Sequence, residues 1–295
     1  MMMIFGKPAP LLFGQLLLGI INGSFYAMLS LGLAIIFGLL RVINFAHGAL
    51  FMVGAFVTWG LYHYVGIGFW PALVIAPVIV AALGLGIERG LIRFTYKLDI
   101  LYGLLLTFGL ALVLEGLFTN GFGSSGVAYN APDLLSGVVD LGFMFLPVYR
   151  GFVIGAAIVI CTAVWFTIEK TRLGALLRAA TENPSLVQAF GVNVPRLIAL
   201  TFAGGVGLAG LAGVLAAPLY SVNPNMGSAL IDTVFAVVVI GGMGSIGGAI
   251  LTGFGLGIIQ GFTEVFYPPA SSVVVFAVMA IVLLTRPAGL FGKAA

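Results

Sequence analysis

Charge is what this chain has least of. Asp, Glu, Lys and Arg supply 7% of the 295 residues, where a soluble domain carries about 25%. Nine acids and twelve bases cannot cover a globule of this size, so the outer surface must be solvated by lipid rather than water. Cysteine is almost absent as well. Cys161 stands alone inside an apolar run, which excludes an intramolecular disulfide and a cysteine-rich metal site. The two histidines, His47 and His63, belong to no His-Glu-x-x-His pattern, and no Gly-x-Ser-x-Gly sequence occurs. No catalytic residue and no metal ligand is therefore assigned. A phosphate-binding Walker A sequence is missing too, since Gly6-Lys7 and Gly292-Lys293 lack the preceding glycine spacing and a following Ser or Thr. The chain is expected to bind no cofactor of its own, and any ATP it depends on must be hydrolysed by another chain. Nor is there period-two alternation over segments of about ten residues, which excludes a transmembrane barrel.

Apolar residues fill the chain instead, 61% of it, with 43 glycines besides and a mean hydropathy of +1.22. Runs such as Pro71–Ile87 and Phe152–Phe166 approach the length of about 20 residues that crosses a bilayer core as a helix. The fold class is all-α: a polytopic transmembrane helix bundle formed by a single domain over residues 1–295. Candidate spans fall near 11–39, 47–64, 70–87, 100–119, 151–168, 198–219, 228–242, 247–266 and 270–285. The seventh and ninth rise only about 21–24 Å at helical pitch, so one of them reads as short or broken and the count is eight or nine. The first run, Leu11–Leu40, is too long for a signal-peptide core and is expected to be retained.

The bases set the orientation. With the N-terminus outside, ten of the twelve fall inside: Arg41, Arg89, Arg93, Lys97, Lys170, Arg172, Arg178, Arg196, Arg286 and Lys293. Only Lys7 and Arg150 fall outside, and the outer loop 120–149 carries Asp133 and Asp140. This is the asymmetry that the positive-inside rule expects. Nine crossings keep Arg286 and Lys293 inside, whereas eight would not.

Small residues recur at spacing four, Ala249, Gly253, Gly257 and Gly261 in one span and Gly205, Ala209 and Gly213 in another. Such stripes let helix backbones approach closely and read as packing surfaces. The polar interruptions are more informative. Arg41-Val-Ile-Asn-Phe-Ala-His-Gly48 breaks a long apolar stretch and is expected at the inner membrane face. There Asn44, His47 and Gly48 either cap two helix ends or touch solute as part of a translocation path or gate. Glu115, Asp232 and Glu264 are acids at membrane depth. All three are expected near outer helix ends, where they are either solvated or line a path, with Glu115 the candidate for the path.

The inner loop 169–197 reads as two short amphipathic helices. Arg172–Glu182 is a good helix former, Asn183 can cap a second helix with Pro184 at its first position, and Gly191 suits its left-handed end. Leu176, Leu177, Leu186, Val187 and Phe190 must pack on something, while Arg172, Arg178 and Glu182 point elsewhere. A purely interfacial helix would carry more bases, so a partner protein is favoured over lipid headgroups. Arg178 and Glu182 lie four apart and either pair with each other or reach a partner's charges.

Four pieces in chain order carry a family resemblance: Ile43-Asn-Phe-Ala-His-Gly48; Gly174-x-x-x-Arg178-Ala-x-x-Glu182-Asn183 with Phe190-Gly191-Val192; Gly241-Gly-Met-Gly-Ser-Ile-Gly-Gly248; and Arg286-Pro-Ala-Gly-Leu-Phe-Gly292. Together they resemble the permease subunits of branched-chain amino acid ABC importers, over almost the whole chain. The resemblance implies a transport subunit that is not an enzyme and that moves branched-chain amino acids, or a related small amino acid or amide, inward by alternating access. It implies a second permease chain, similar or identical, two cytoplasmic ATPase subunits holding ATP and Mg, and a periplasmic solute-binding protein. The setting would be the bacterial inner membrane, with lipid and no nucleic acid as partner, the N-terminus periplasmic and the C-terminus cytoplasmic. Residues 169–197 would then hold the cytoplasmic coupling helices, with Arg172, Gly174, Arg178, Glu182, Asn183, Pro184 and Gly191 as the ATPase-coupling set. The alternative is an ion-coupled secondary transporter of a small polar solute, which needs broken helices and acids at mid-membrane. Acids near the middle of any span are scarce.

Overall fold

The computed structural model describes residues 3–4, 7–40, 42–142 and 144–292. Its α-helices are α1 Ala9–Leu40, α2 Ala46–Val65, α3 Phe69–Gly90, α4 Ile100–Phe122, α5 Val148–Lys170, α6 Arg172–Glu182, α7 Pro184–Ala189, α8 Val194–Ala216, α9 Ser228–Gly241, α10 Ile246–Phe266 and α11 Val274–Thr285. Among the described residues, eight segments are long and apolar enough to cross a membrane, and α11 is shorter. The peripheral helices turn apolar side chains outward, including Leu105, Leu112 and Leu117 of α4 and Val159 of α5. A bundle with that exterior has lipid as its solvent.

Helix starts follow the local chemistry. Asp99 accepts a hydrogen bond from the Leu101 N–H at 2.9 Å, Asn193 from the Arg196 N–H at 3.1 Å and Ser245 from the Gly248 N–H at 3.1 Å. Each satisfies one of the amides that a helix N-terminus leaves unpaired. Between α2 and α3 the chain reverses at Gly66, whose φ of 73° is left-handed.

The central helix is α1, 32 residues long, or about 48 Å. It runs antiparallel to α10, and the two backbones nearly touch. A methyl group at Gly23 would lie 2.9 Å from Phe254 Cα, and one at Gly253 2.6 Å from Ala27 Cα. Gly257 faces Gly19 and Gly23, and Gly261 faces Gln15. Where lipid gives helices no hydrophobic reason to associate, such close van der Waals packing holds them together. Gly205 and Gly213 of α8 serve other neighbours, Gly32 of α1 and Phe51 of α2.

Two small hairpins accompany the helices, β1 Met3–Ile4 with β2 Lys7–Pro8, and β3 Val138–Asp140 with β4 Phe145–Pro147 inside the loop 120–149. The last described residues lie where α10 begins. The Leu290 N–H donates to Ile240 O at 2.8 Å and the Phe291 N–H to Gly241 O at 3.2 Å, which closes the last carbonyls of α9. The described tail returns from the far end of α10 to its start, with the 12-residue α11 on the way back. One face of the bundle, the basic face, gathers Arg89, Arg93, Lys97, Lys170, Arg172, Arg178, Arg196 and Arg286. Arg41 and Lys293, also expected there, lie outside the described residues. Arg150 and Lys7 stand at the opposite face.

Candidate functional site

The turn containing Asn44 does not sit at the membrane face. After Leu40 the chain climbs back into the bundle, and α2 begins there. The His47 Nε2 lies 3.1 Å from Leu29 O. Thr107 Oγ1 donates to Ile43 O at 3.0 Å and accepts from the Phe45 N–H at 3.1 Å. Leu29 is eleven residues from the end of α1 and Thr107 seven from the start of α4, which puts the turn about 10–16 Å inside the bundle. The expected position at the inner face is thereby corrected.

The side chains of the turn are oddly provided for. Asn44 is 1% exposed, and neither atom of its amide has a hydrogen-bond partner. His47 is fully buried. A carbonyl only accepts, so Nε2 donates to Leu29, and Nδ1 is left without a partner. Neither residue caps a helix: α2 has no side-chain cap, and His47 bonds the middle of α1. The capping alternative therefore fails. Unpaired buried polar groups cost about 1–3 kcal/mol each, so the turn holds polar capacity that the surrounding helices leave unused.

Gly48 packs on Gly227, and a methyl at Gly48 would lie 2.6 Å from Gly227 O. The N-termini of α2 and α9 thus meet inside the bundle, α2 leading to the face opposite the basic one and α9 to the basic face. Residues 217–227 descend to that point from the end of α8. A bridge to the outer loop holds them, with the Val127 N–H donating to Val222 O at 2.8 Å and the Val222 N–H to Val127 O at 3.0 Å. Largely irregular backbone at membrane depth persists only when buried in protein or when it lines a water-filled cavity.

Beside the junction, Phe45 stacks on Phe235 at 5.8 Å between centroids and meets Phe108 edge-on at 6.3 Å. A cavity of about 160 Å³ opens next to this cluster, lined by Phe45, Gly48, Phe108, Glu115, Ser228 and Asp232. Asp232, expected near an outer helix end, lies one turn before Phe235 and so at the depth of the Asn44 turn. The reason is that α9 starts inside the bundle rather than at its edge. Glu115 and Asp232 open on one cavity, whereas Glu264 stays near the far end of α10. Among the described residues no three His, Cys, Asp or Glu side chains come together as a metal site.

Two acids are absent from the sequence reading, Asp99, which caps α4, and Glu88. Glu88, in the last turn of α3, is 3% exposed and accepts a hydrogen bond from the Tyr96 hydroxyl at 2.9 Å. Burial and the Glu88 carboxylate push the Tyr96 phenol above its ordinary range, so it stays a donor. Beside Arg89, Glu88 looks like ordinary helix-end polarity. The available signal was a tyrosine eight residues later, across a short turn.

On the basic face, α6 and α7 form the segment read as amphipathic. Asn183 accepts from the Leu186 N–H at 3.1 Å and from the Ser185 hydroxyl at 2.8 Å, Pro184 opens α7, and Gly191 has φ 83°. Gly174 leaves no room for a Cβ beside the Ile168 carbonyl, so α6 folds back directly from α5. Leu177, Ala180 and Val187 are buried, and the Thr181 hydroxyl donates to Leu39 O at 2.7 Å, fastening α6 to the end of α1. Leu176, Leu186 and Phe190 turn away from the bundle, with Phe190 79% exposed, and Leu173 joins them. Arg172 and Glu182 are exposed. Arg178 meets neither Glu182 nor open solvent alone. It pairs with Glu169 at 3.7 Å and donates to Ile168 O at 3.1 Å, because α6 doubles back over the carbonyl end of α5.

The sequence profile of a family described as branched-chain amino acid transport system / permease component matches residues 15–283. The chain is similar to the high-affinity branched-chain amino acid transport system permease protein BraD of Pseudomonas aeruginosa, 32% identical over 297 residues covering 95% of each chain. It is similar to the permease protein LivH of the same kind of system in Escherichia coli, 30% identical over 298 residues and 95% of each chain. To the permease protein LivM of that organism it is 28% identical, over 90% of this chain and 67% of LivM. No solved structure matches it.

Proposed function

The chain belongs to the family of branched-chain amino acid transport permease components, and on that premise we propose that it is the membrane subunit of an ATP-driven importer. It moves branched-chain amino acids, or a closely related small neutral solute, inward by alternating access. ATP and Mg are held by two partner ATPases that dock on the basic face. The observation that carries this reading is the outward apolar patch of α6 and α7, Leu173, Leu176, Leu186 and Phe190, on helices whose other side is fastened to the bundle. An apolar patch framed by Arg172 and Glu182 fits a protein groove better than a lipid headgroup layer, which favours a more basic helix.

By the positive-inside rule the basic face is cytoplasmic, so the N-terminus is periplasmic and the C-terminus cytoplasmic. The membrane is the inner one. A second permease chain stands beside this one, a reading supported by similarity to both LivH and LivM, each a permease protein by name. A periplasmic solute-binding protein delivers solute to the opposite face. Displacement of α6 by the ATPases reaches α1 through the bond between Thr181 and Leu39, and α1 also carries the Leu29 carbonyl that holds His47. Docking surface and deep turn therefore hang on one helix. With its Phe45 cluster, the Asn44–Gly48 turn serves as the gate, and Glu115 lines the path beside it.

The test is Phe190→Asp together with Leu186→Asp in the reconstituted importer. Solute-stimulated ATP hydrolysis and co-purification of the ATPases should both fall at least tenfold while the subunit still inserts. Undiminished coupled hydrolysis in the double variant would overturn the docking assignment.

A further inference from the structure

A second cavity, about 420 Å³, opens between α1, α2 and the descending segment 217–227. That volume lies within the range of about 300–1,000 Å³ usual for small-molecule sites. Its walls divide by chemistry. Phe25, Phe51 and Leu230 form an apolar floor, with Phe25 edge-on to Tyr220 at 5.6 Å. Asn22, Tyr220 and Asn223 supply polar groups on the remaining side. The Tyr220 hydroxyl donates to Asn22 Oδ1 at 3.2 Å, which leaves the Asn22 amide hydrogens free to face the cavity. An amide near the middle of a mostly apolar helix is costly in lipid and is expected to meet something polar.

Three further features narrow the occupant. Ala229, the second residue of α9, lines the cavity, and the first N–H groups of a helix have no partner within it, so they suit a carboxylate. No lining residue is itself charged. A charged side chain on the occupant would therefore be buried without a partner, which is strongly unfavourable. The segment that forms one wall is also the irregular backbone that must have either protein or a water-filled cavity beside it.

We infer that this cavity holds the solute between the two faces, with the zwitterion against Asn22, Asn223 and the α9 N-terminus and a neutral branched side chain on Phe25, Phe51 and Leu230. The inference rests on the reading of the chain as an amino acid permease and adds where, and by which groups, the solute is chosen.

The experiment uses the complete importer in proteoliposomes, with Ser221→Cys at the cavity wall and Cys161→Ala as background. Modification of the new thiol by N-ethylmaleimide is timed without nucleotide, in the presence of L-leucine, L-lysine or L-glutamate. L-leucine should slow it several-fold, and the two charged amino acids should not. A second variant, Ala229→Leu, narrows the cavity and should shift ATP-driven uptake from L-leucine toward L-alanine by about tenfold, the scale of discrimination that a methylene or two allows. Equal labelling rates with and without L-leucine would overturn the site, as would unchanged preference in Ala229→Leu. The permease reading fails separately: it falls if the unmutated importer takes up no amino acid with ATP, whereas thiol protection is read without ATP.

Discussion

Replacing Gly257 by alanine should destabilise the protein by about 1–3 kcal/mol, the range for overpacking a filled interface, whereas the same change at Gly255 should not. At Gly257 the added methyl would lie 2.5 Å from both Gly23 Cα and Gly23 N. Unstrained carbon contacts need about 3.5–4.0 Å, so α1 and α10 would have to part by about an ångström. Both atoms belong to backbone, and the opposite side of α1 is closed by α8, so there is no flexible side chain to yield. Gly255 lies two residues away on the same helix, and nothing stands within 4 Å of the equivalent point. Alanine there gains helix propensity, up to about 0.8–1.0 kcal/mol. Two identical substitutions on one helix should therefore differ in sign. Thermal unfolding in detergent reads this directly, because Cys161 is the one thiol and is buried. A maleimide dye then reports the loss of packing around it. Equal midpoints for the two variants, or a larger loss at Gly255, would refute the contact argument.

Three other outcomes are expected. In intact cells an impermeant maleimide should label Ser136→Cys in the loop before β3 but reach Leu98→Cys, between α3 and α4, only after permeabilisation; the reverse pattern would invert the topology. Tyr96→Phe removes the hydrogen bond to a buried carboxylate and should lower stability by about 1–3 kcal/mol, with partial recovery when Glu88→Gln is added; a neutral Tyr96→Phe would mean that Glu88 needs no donor. Asn44→Leu replaces an amide without partners by an apolar group and should raise the unfolding midpoint while stopping transport. Normal transport in that variant would show that the amide is not used in the cycle.

Much of the bundle is legible in the sequence because lipid permits so few solutions. A run near 100–119 becomes α4 Ile100–Phe122, and one near 247–266 becomes α10 Ile246–Phe266. Asn183-Pro184 opens α7 because an amide cap and a residue without an N–H suit a helix start whatever lies around it. Other features depend on distant parts of the chain. Two- and three-residue strands are too short for any periodicity. The direction of Arg178 depends on how sharply α6 folds back on α5, which Gly174 permits but does not announce. The partners of Asn22 and Glu88 come from residues across a turn or across the molecule, and no local pattern marks them.

Depth is the quantity that hydropathy does not record, and helix lengths carry only part of it. A bilayer core is about 30 Å thick and needs about 20 helical residues, while α1 has 32. That excess does not by itself place the Asn44 turn, because a chain that overshot the core and climbed back by the same amount would only regain its edge; the bonds of the turn to Leu29 and Thr107, well inside α1 and α4, are what put it deep. Where α1 is overlong, α9 is short, its 14 residues rising only about 21 Å. Its shortfall is supplied by 217–227, which must enter the membrane as largely irregular backbone and therefore needs protein or a cavity at its side. The returning chain and the incomplete crossing end at the same height, where Gly48 touches Gly227. Two helices that both begin there direct their N-termini, the positive ends of their dipoles, into the middle of the bundle.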